Sequence, residues 1–240
     1  MFRPVQAGQP EVDVGYLFET PLIAVQVPDA LALNQALAAA IAERRQQHPN
    51  GIAVSNRLGW HSDTSMLEWG GEPAHRLMDH MISAANEHTR DIAGDGRKRF
   101  IWVPEMWANV SPPGASNQLH THPGSFWSSA YYVDDGYGGS NDRSLGGELE
   151  IEDPRLPMIS MEAPDLRFRP GKAAPPVEHE ILVRPATGRL LIFPGWLRHA
   201  VRPYAGNGVR VSIAMNLTAM RIPAAAAEQF SHIPGPPFEG

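Results

Sequence analysis

The order of predicted secondary structure limits the fold of this chain more than any other feature: two helical segments come first, and a series of short strands follows. After Gly96, clusters of Gly, Pro, Asn and Asp separate segments that are rich in β-branched and aromatic residues. The predicted strands are Phe100 to Val110, Ser125 to Asp134, Glu148 to Glu152, Glu180 to Arg184, Arg189 to Phe193 and Val209 to Leu217. This order predicts a mainly β sandwich or barrel with helices packed on its outside.

The residues before Gly96 predict the elements that support this β core. Gly15 to Val27 is rich in β-branched and aromatic residues and predicts one or two strands. Asp29 is a candidate N-cap for a first helix, and Pro73 is a candidate first residue of a second helix. The expected buried stripes are Leu33, Leu37 and Ile41 in the first helix, and Leu77, Met81 and Ala85 in the second.

The chain of 240 residues shows no internal repeat and no second domain boundary, so we expect one domain over residues 1–240. Within it, residues 1–96 would supply the strand and the helices, 97–222 the β core, and 223–240 a peripheral tail. Two long loops interrupt the core. The Gly-rich Gly136 to Gly146 and the Pro-rich Pro154 to Pro176 are predicted to be lids.

Composition excludes several classes of function. The chain contains no cysteine, which excludes disulfides, zinc–thiolate sites, iron–sulfur clusters and cysteine nucleophiles, so a metal site must use His, Asp or Glu. A net charge of -6 without a basic run argues against binding to nucleic acid or to an anionic membrane. The N-terminus has no apolar signal region, and Ala30 to Ala42 is too short to span a bilayer. We therefore expect a cytoplasmic protein.

Three histidines have a spacing that suits a metal site. His120 and His122 lie two residues apart, and side chains at this spacing share one face of an extended segment. His199 follows a predicted strand and a Pro-Gly turn, so it would arrive from a distant part of the β scaffold. Three ligands arranged in this way form a facial site that leaves three positions of an octahedral metal open.

A second group of polar residues follows the third histidine. Arg210 and Ser212 share one face of the last predicted strand, while Val209, Val211 and Ile213 occupy the other face. The planar fork of an arginine binds a carboxylate through two hydrogen bonds, and a neighbouring hydroxyl adds another donor. This polar face predicts a carboxylate receptor that lines the interior of a small barrel.

On these residues the sequence resembles the iron(II)- and 2-oxoglutarate-dependent oxygenases, and more narrowly a bacterial group with an H-x-H…H site. The resemblance covers most of the chain from Ser55 to Leu217. The matching stretches are SNRLGWHS from Ser55, W-x-N-V-x-x-x-G at Trp107 to Gly114, H-x-H-P-x-S at His120 to Ser125, YYV at Tyr131, and FPGWLRH…R-x-S-x-x-x-N at the end.

The resemblance implies the fold, the reaction and the partners. The expected fold is a double-stranded β-helix of the jelly-roll, cupin-like kind with supporting N-terminal helices. The expected enzyme is a dioxygenase that binds Fe(2+) and 2-oxoglutarate and consumes dioxygen. It would oxidise a small molecule or an amino-acid side chain while 2-oxoglutarate is converted to succinate and carbon dioxide. In such enzymes the protein supplies ligation, orientation and exclusion of water.

The resemblance also implies roles for individual residues. The superfamily pattern is H-x-(D/E)…H for iron and R-x-S for the 2-oxoglutarate carboxylate. His120 corresponds to the first ligand and His199 to the distal ligand, while Arg210 and Ser212 would hold the cosubstrate with help from Tyr132.

The sequence departs from this pattern at His122, which stands where the superfamily has a carboxylate. Three interpretations remain open. His122 is the third ligand, or it lies behind the ligands while water or an anion fills the site. In the third interpretation His122 is the first ligand and Gly124 takes the carboxylate position, as in halogenases that leave a place for chloride.

Five further residues near the motifs are candidates for the substrate pocket, each with packing as the alternative role. They are Trp60, His61, Trp127, Trp196 and Arg198.

Two other functions account for part of the pattern. A cupin-type three-His dioxygenase without 2-oxoglutarate explains the histidines but leaves Arg210 and Ser212 without a role. A non-catalytic metal- or ligand-binding β-sandwich is the other alternative. The sequence does not determine the substrate, the product or the oligomeric state, for which a homodimer is one option.

Overall fold

The computed structural model describes residues 18–92, 99–155 and 180–222. Its three helices are α1 (Ala30–Gln47), α2 (Met66–Trp69) and α3 (Gly71–Glu87). The strands of these ranges are β1 (Ile23–Gln26), β2 (Asn56–Arg57), β3 (Trp60–His61), β4 (Phe100–Ser111), β5 (Ser116–His120), β6 (Trp127–Asp134), β7 (Leu149–Glu152), β8 (Glu180–Val183), β9 (Arg189–Pro194), β10 (His199–Val201) and β11 (Arg210–Arg221). Within the same ranges, no helix combines the length and the apolar character needed to cross a membrane.

The strands form two sheets whose strand pairs are all antiparallel. The larger sheet has the order β1-β9-β6-β11-β4-β3, and the smaller has the order β2-β5-β10-β7-β8. From β4 onwards consecutive strands alternate between the sheets, except that β7 and β8 are neighbours in the smaller sheet, and such alternation is how a jelly roll is wound. The fold is a mainly β double-stranded β-helix, as predicted from the sequence.

The two faces of the larger sheet have opposite characters. Its outer face packs on the helices: Ile213 and Met215 of β11 belong to one buried cluster with Leu37 of α1 and Leu77 of α3. A smaller apolar cluster lies on the other, inner face and includes Phe193 of β9 together with residues of the smaller sheet. Because successive side chains of a strand point to opposite faces, β11 contributes to both environments.

The predicted elements agree with the structure apart from their boundaries. All six strands predicted after Gly96 are present, and the last one is longer than predicted because β11 continues to Arg221. Helix α1 begins directly after Asp29, but Asp29 makes no capping hydrogen bond through its side chain. Its backbone has a φ of 52°, in the left-handed region, whereas a capping residue usually adopts an extended conformation. Helix α3 begins at Gly71, so Pro73 lies inside its first turn.

The two predicted lids differ in what the structure describes. Most of Pro154 to Pro176 lies outside the described residues, as does the predicted tail. Within the Gly136 to Gly146 loop, the Tyr137 hydroxyl donates to the Gly146 carbonyl over 2.7 Å and so joins the two ends of the loop. The Arg184 guanidinium lies 3.7 Å from the centre of the Tyr137 ring. Movement of this loop on substrate binding remains a prediction.

Candidate metal and cosubstrate site

Three imidazoles converge at one end of two neighbouring inner strands of the smaller sheet. His120 is the last residue of β5, His199 is the first residue of β10, and the two are direct partners in the antiparallel register. His122 completes the group, and a ligand atom of each ring lies within 4.8 Å of the others. No other group of three or more His, Cys, Asp or Glu side chains with this geometry occurs among the described residues.

The position of His122 differs from the sequence argument that placed it on one strand face with His120. Strand β5 ends at His120, and His122 lies in the turn that follows. Its backbone N–H donates to the Gly195 carbonyl over 2.9 Å, and its own carbonyl accepts from the Ser125 N–H over 3.1 Å. Gly124, with a φ of 89°, supplies the left-handed backbone that this turn needs. The turn, rather than an extended strand, brings the His122 ring to the cluster.

Two of the three rings are held by backbone carbonyls of their own segments. The Nδ1 atom of His120 lies 2.7 Å from the Gln118 carbonyl oxygen, and that of His199 lies 2.9 Å from the Leu197 oxygen. A carbonyl only accepts, so each Nδ1 carries the proton and each Nε2 presents a lone pair. This is the usual way in which a protein orients a metal-binding histidine.

The protonation of the cluster favours metal binding. Burial, together with the neighbouring imidazoles of His199 and His120, lowers the pKa of His122 to about 3. Burial also lowers the pKa of His199 to about 4. A histidine must be neutral to bind a metal, so both rings are prepared for ligation at neutral pH. Three imidazoles without a thiolate suit iron(II).

A buried arginine lies at the start of β11. Arg210 is 2 % exposed, one of its terminal nitrogens donates to the Gly147 carbonyl, and its Nε has no hydrogen-bond partner. No carboxylate of residues 18–92, 99–155 or 180–222 forms an ion pair with it. Burial lowers its pKa, against the electrostatic effect of Tyr132, Tyr137 and other neighbours. A buried charge is costly unless it is paired, so a carboxylate of a ligand fits this position.

The surroundings of Arg210 are closely fitted to it. Gly147 has a φ of 78°, and a Cβ at this position would lie 3.4 Å from an Arg210 terminal nitrogen and 3.3 Å from the Tyr204 ring. A side chain at residue 147 would therefore be strained by its backbone and would press on the Tyr204 ring. Tyr132 faces the same space, and burial raises its pKa to about 12. Its hydroxyl therefore remains protonated at neutral pH and can act as a donor.

The inner face of β11 connects the arginine with the histidines. Ser212 is the next inward position after Arg210, and its register partners are Asn109 and Tyr132. Ala214 follows, opposite Ala130 of β6. Ser212 and Ala214 are thus small inward residues between Arg210 and Asn216, which contacts His122 of the histidine cluster. A dicarboxylate that meets a metal at one end and an arginine at the other fits this arrangement.

Among the candidate substrate residues, His61 is brought to the site. Its buried ring stacks on Trp107 with ring centres 5.6 Å apart, and the Trp107 ring lies 5.7 Å from that of His122. The His61 Nδ1 lies 2.5 Å from the Ser62 carbonyl, so its Nε2 is available to a ligand. Burial lowers its pKa, so the ring is neutral at neutral pH.

Two of the tryptophans predicted for the pocket are not at the site. Trp60 and Trp127 both belong to the cluster between the larger sheet and the helices. The Trp60 indole N–H donates to the His48 carbonyl, and that of Trp127 donates to the Thr89 hydroxyl. Strand alternation accounts for this correction, because each tryptophan occupies the face opposite to the neighbouring residue that points inward.

The other two candidates lie at the surface. Trp196 is 55 % exposed and follows Gly195, whose carbonyl is bound by the His122 backbone. It therefore lies at the rim beside the histidine cluster. Arg198 is also exposed, and its guanidinium forms an ion pair with Glu152 at 3.0 Å.

The sequence predicted no individual role for three polar residues of the inner face, which are Asn109, Ser128 and Asn216. Asn109 has a buried side-chain oxygen without a hydrogen-bond partner, and Asn216 contacts His122 while also accepting from Ser128. The signal was present in the sequence. Asn109 belongs to the W-x-N-V stretch and Asn216 to the closing motif, but the spacing alone does not reveal which atom each would contact.

Comparisons with known proteins agree with this site. Residues 105–216, a little under half of the chain, match a protein family described as "Putative 2OG-Fe(II) oxygenase". This span contains all three histidines, Arg210 and Ser212. No curated protein matched the chain.

Solved structures show the same fold at low sequence identity. A prolyl-4-hydroxylase from Pseudomonas putida is 17% identical with a TM-score of 0.55, and the match covers 83% of this chain and 92% of that one. A prolyl hydroxylase from Trichoplax adhaerens, in complex with a peptide fragment, is 14% identical with a TM-score of 0.55, at 82% and 83% coverage. HygX from Streptomyces hygroscopicus, with nickel, 2-oxoglutarate and hygromycin B bound, is 10% identical with a TM-score of 0.53, at 83% coverage of both chains.

The family match extends over the strands that carry the site, and the fold is the one in which these enzymes are built. The resemblance in the sequence, the three-histidine cluster and the buried arginine agree with the same assignment. Over residues 105–216 the chain therefore resembles the iron(II)- and 2-oxoglutarate-dependent oxygenases.

Proposed function

We propose that His120, His122 and His199 hold the iron, that Arg210, Ser212 and Tyr132 hold 2-oxoglutarate, and that the substrate is a small molecule or an amino-acid side chain. The observation that carries this proposal is the pairing of two features on one interior surface. Three imidazoles converge at one end of it, and a buried guanidinium without a carboxylate partner lies at the other. The imidazoles would bind the metal at one end of a dicarboxylate, and the guanidinium would bind the carboxylate at its other end.

When bound, iron(II) and 2-oxoglutarate supply the oxidising chemistry with dioxygen. The residues of the protein would hold and orient the metal and the cosubstrate. The carbonyls of Gln118 and Leu197 keep the Nε2 atoms of His120 and His199 directed to the metal. Arg210 fixes the far carboxylate of the cosubstrate through charge-assisted hydrogen bonds. The apolar side chains of the inner cluster, among them Phe193 and Leu197, exclude water from the space beside the histidines.

Arg210 also distinguishes the proposal from its two alternatives. A three-histidine dioxygenase that does not use 2-oxoglutarate has no use for a desolvated guanidinium beside Ser212. A purely structural metal site would have no need of open coordination positions or of a receptor for a carboxylate. The buried arginine is costly to the fold, and a ligand that pairs with it offsets this cost.

For the substrate we propose His61 and Trp196 as the binding residues, with Arg198 at the outer rim. His61 offers its Nε2 close to the metal ligands, and Trp196 offers an exposed aromatic face beside them. Among proteins of similar fold, one was solved with a peptide fragment and another with hygromycin B. The fold therefore accommodates both substrate classes, and a binding screen should include amino acids, short peptides and small polar metabolites.

Four further expectations remain predictions. We propose that the chain works as one domain, because the helices share a buried cluster with the larger sheet. Its partners are expected to be the small substrate and dioxygen rather than nucleic acid or a membrane, which suits the net charge of -6. The cytoplasmic location and a homodimer also await testing.

The decisive experiment measures oxygen uptake and succinate formation by the iron-loaded protein with and without 2-oxoglutarate. Both should require iron and 2-oxoglutarate, and slow succinate formation should occur even without the true substrate. Arg210→Lys keeps the charge but loses the planar fork, so the apparent 2-oxoglutarate constant should rise about tenfold or more. The control is Arg221→Lys, at an exposed arginine of the same strand. Oxygen uptake that is independent of 2-oxoglutarate would favour the three-histidine dioxygenase, and metal binding without any uptake would favour the non-catalytic alternative.

A further inference from the structure

The hydrogen bonds of the three histidines differ in one respect. His120 and His199 each place Nδ1 against the carbonyl of the residue two positions earlier. His122 has no such carbonyl, and its Nδ1 instead lies 3.2 Å from the side-chain amide nitrogen of Asn216. The ligating form of the first two rings is therefore fixed by groups that only accept. The form of the His122 ring depends on an amide, which can present either an oxygen or an NH2 group.

The amide is held from a second side. Asn216 is a buried residue of β11, and its register partner on β6 is Ser128. The Ser128 hydroxyl donates to the Asn216 side-chain oxygen over 2.8 Å. Ser128, Asn216 and His122 thus form a hydrogen-bonded chain that runs from the middle of the larger sheet to the metal cluster.

The hydrogen bonds between Ser128, Asn216 and His122 can run in either direction. Only one direction permits His122 to bind a metal through Nε2. If the Asn216 NH2 group donates to Nδ1, a neutral His122 carries its proton on Nε2 and offers the metal no lone pair. If the amide is turned by half a rotation, its oxygen accepts from an Nδ1–H and Nε2 becomes free. The Ser128 hydroxyl can accept from the turned NH2 group as readily as it donated to the oxygen. Both hydrogen bonds that join Ser128, Asn216 and His122 are therefore kept when the amide turns, with their directions reversed.

We propose that Asn216 is the positioning residue that makes His122 a metal ligand, and that metal binding turns its amide so that the side-chain oxygen faces His122. This inference rests on the proposed assignment of the three histidines to the metal. Ser128 supports both orientations, which allows the empty cluster to keep every hydrogen bond while the loaded cluster gains its third ligand. His122 replaces the usual carboxylate of the superfamily, and Asn216 supplies the acceptor that a ligating imidazole requires.

Two substitutions of Asn216 separate an acceptor from a donor. Asn216→Asp is nearly the same size and can only accept from the Nδ1–H, so zinc affinity should be retained or increased. Asn216→Leu provides no acceptor, so zinc affinity should fall about 10- to 100-fold, the usual effect of losing a group that orients a ligand. Zinc is used as a redox-inert probe, and its dissociation constant is measured by calorimetry against a competing chelator. Equal losses in the two variants would overturn the proposal, as would unchanged affinity in Asn216→Leu.

A double-mutant cycle tests whether the effect passes through His122. In a His122→Ala background, Asn216→Leu should cause no further loss of zinc affinity, because the group that Asn216 orients is gone. Independent losses that add would overturn the proposal. Ser128→Ala should weaken zinc binding by less than Asn216→Leu. Its matched control is Ser129→Ala, whose hydroxyl faces Met81 on the other side of the sheet and should leave affinity unchanged.

The position of the ring proton gives a readout that does not depend on affinity. Nitrogen-15 NMR of the histidine rings should show a proton on Nδ1 of His122 in the zinc-loaded protein and on Nε2 in the zinc-free protein. An unchanged pattern would contradict the amide turn. His120→Ala and His199→Ala are measured in parallel. Tight zinc binding by either would count against the metal site itself, whereas loss in both with normal binding by Asn216→Leu would reject only the role of Asn216.

Discussion

The two faces of β11 show how one strand serves two purposes. Its outward residues, which include Ile213 and Met215, are buried against the helices and belong to the main apolar cluster. Its inward residues include two buried polar residues, Arg210 and Asn216. The Nε atom of Arg210 has no hydrogen-bond partner, and Asn216 is held by hydrogen bonds that lead to His122. The outer face stabilises the protein through burial, while the inner face keeps polar groups available for ligands.

This contrast has an energetic consequence. Apolar burial on the outer face contributes to the free energy of unfolding whether or not a ligand is present. A buried guanidinium and a group of adjacent imidazoles reduce that free energy until a carboxylate and a metal bind them. We therefore expect different effects from the two faces: substitutions on the outer face should lower stability without altering affinity, and substitutions on the inner face should lower affinity without lowering the stability of the ligand-free protein.

The largest expected effect follows from the removal of an inner ligand. His199→Ala deletes one of the three imidazoles, so iron(II) affinity should fall by more than the ~100-fold typical of losing a group that only orients a ligand. The dissociation constant is measured anaerobically, and circular dichroism confirms that the variant is folded. Tight binding of one equivalent of iron by this variant would remove His199 from the site.

The complementary experiment changes the outer face of β11. Ile213→Ala removes a fully buried side chain from the cluster between sheet and helices. The free energy of unfolding in urea should fall by about 2–5 kcal/mol. At a temperature where the variant remains folded, its affinities for iron and 2-oxoglutarate should match those of the parent. A large loss of affinity would show that the two faces are coupled.

The outer face is also the part that the sequence predicts well. Alternation of apolar residues in strands and the helical spacing of Leu33, Leu37 and Ile41 reflect local geometry, and the structure buries these residues as expected. The strand that carries His120 was not among the predicted strands, because SNQLH lacks the β-branched and aromatic residues that mark a strand. It forms because β10 and β2 pair with it on either side.

The site was predicted in its residue types but not in its supporting contacts. The H-x-H pair, His199 and Arg210 were found from their chemistry and spacing. The turn that carries His122 and the contact with Asn216 depend on long-range packing, because residues 122 and 216 lie far apart in the sequence. For the same reason the sequence left a pocket role and a packing role open for Trp60 and Trp127, since aromatic residues suit a core and a pocket equally well.

An intermediate effect is expected at Arg210, with opposite signs for binding and for stability. Arg210→Met removes the charge but keeps much of the volume, so 2-oxoglutarate affinity should fall about tenfold or more with the loss of charged hydrogen bonds. The ligand-free variant should resist urea as well as the parent, or better, because a desolvated charge has been removed. The comparison variant is Arg221→Met, at the exposed end of β11. Marked destabilisation would instead assign Arg210 to the structure, through its bond to Gly147 and the surrounding tyrosines.

The smallest expected effect is the pH dependence of the metal-free protein. Burial lowers the pKa of His199 from 6.5 to about 4, so below pH 6.5 the unfolded chain takes up a proton that the folded protein resists. The free energy of unfolding should therefore fall as the pH drops from 6.5 towards 4, and it should be unaffected by this group above 6.5. Between pH 6.5 and 5.5 the loss from His199 should be about 1 kcal/mol. This loss is measured by urea unfolding of the chelator-treated parent and of the chelator-treated His199→Ala variant. The variant should lose less stability than the parent between pH 6.5 and 5.5. An identical pH dependence in both proteins would mean that the cluster does not resist protonation, and that the inner face costs the ligand-free fold less than its burial indicates.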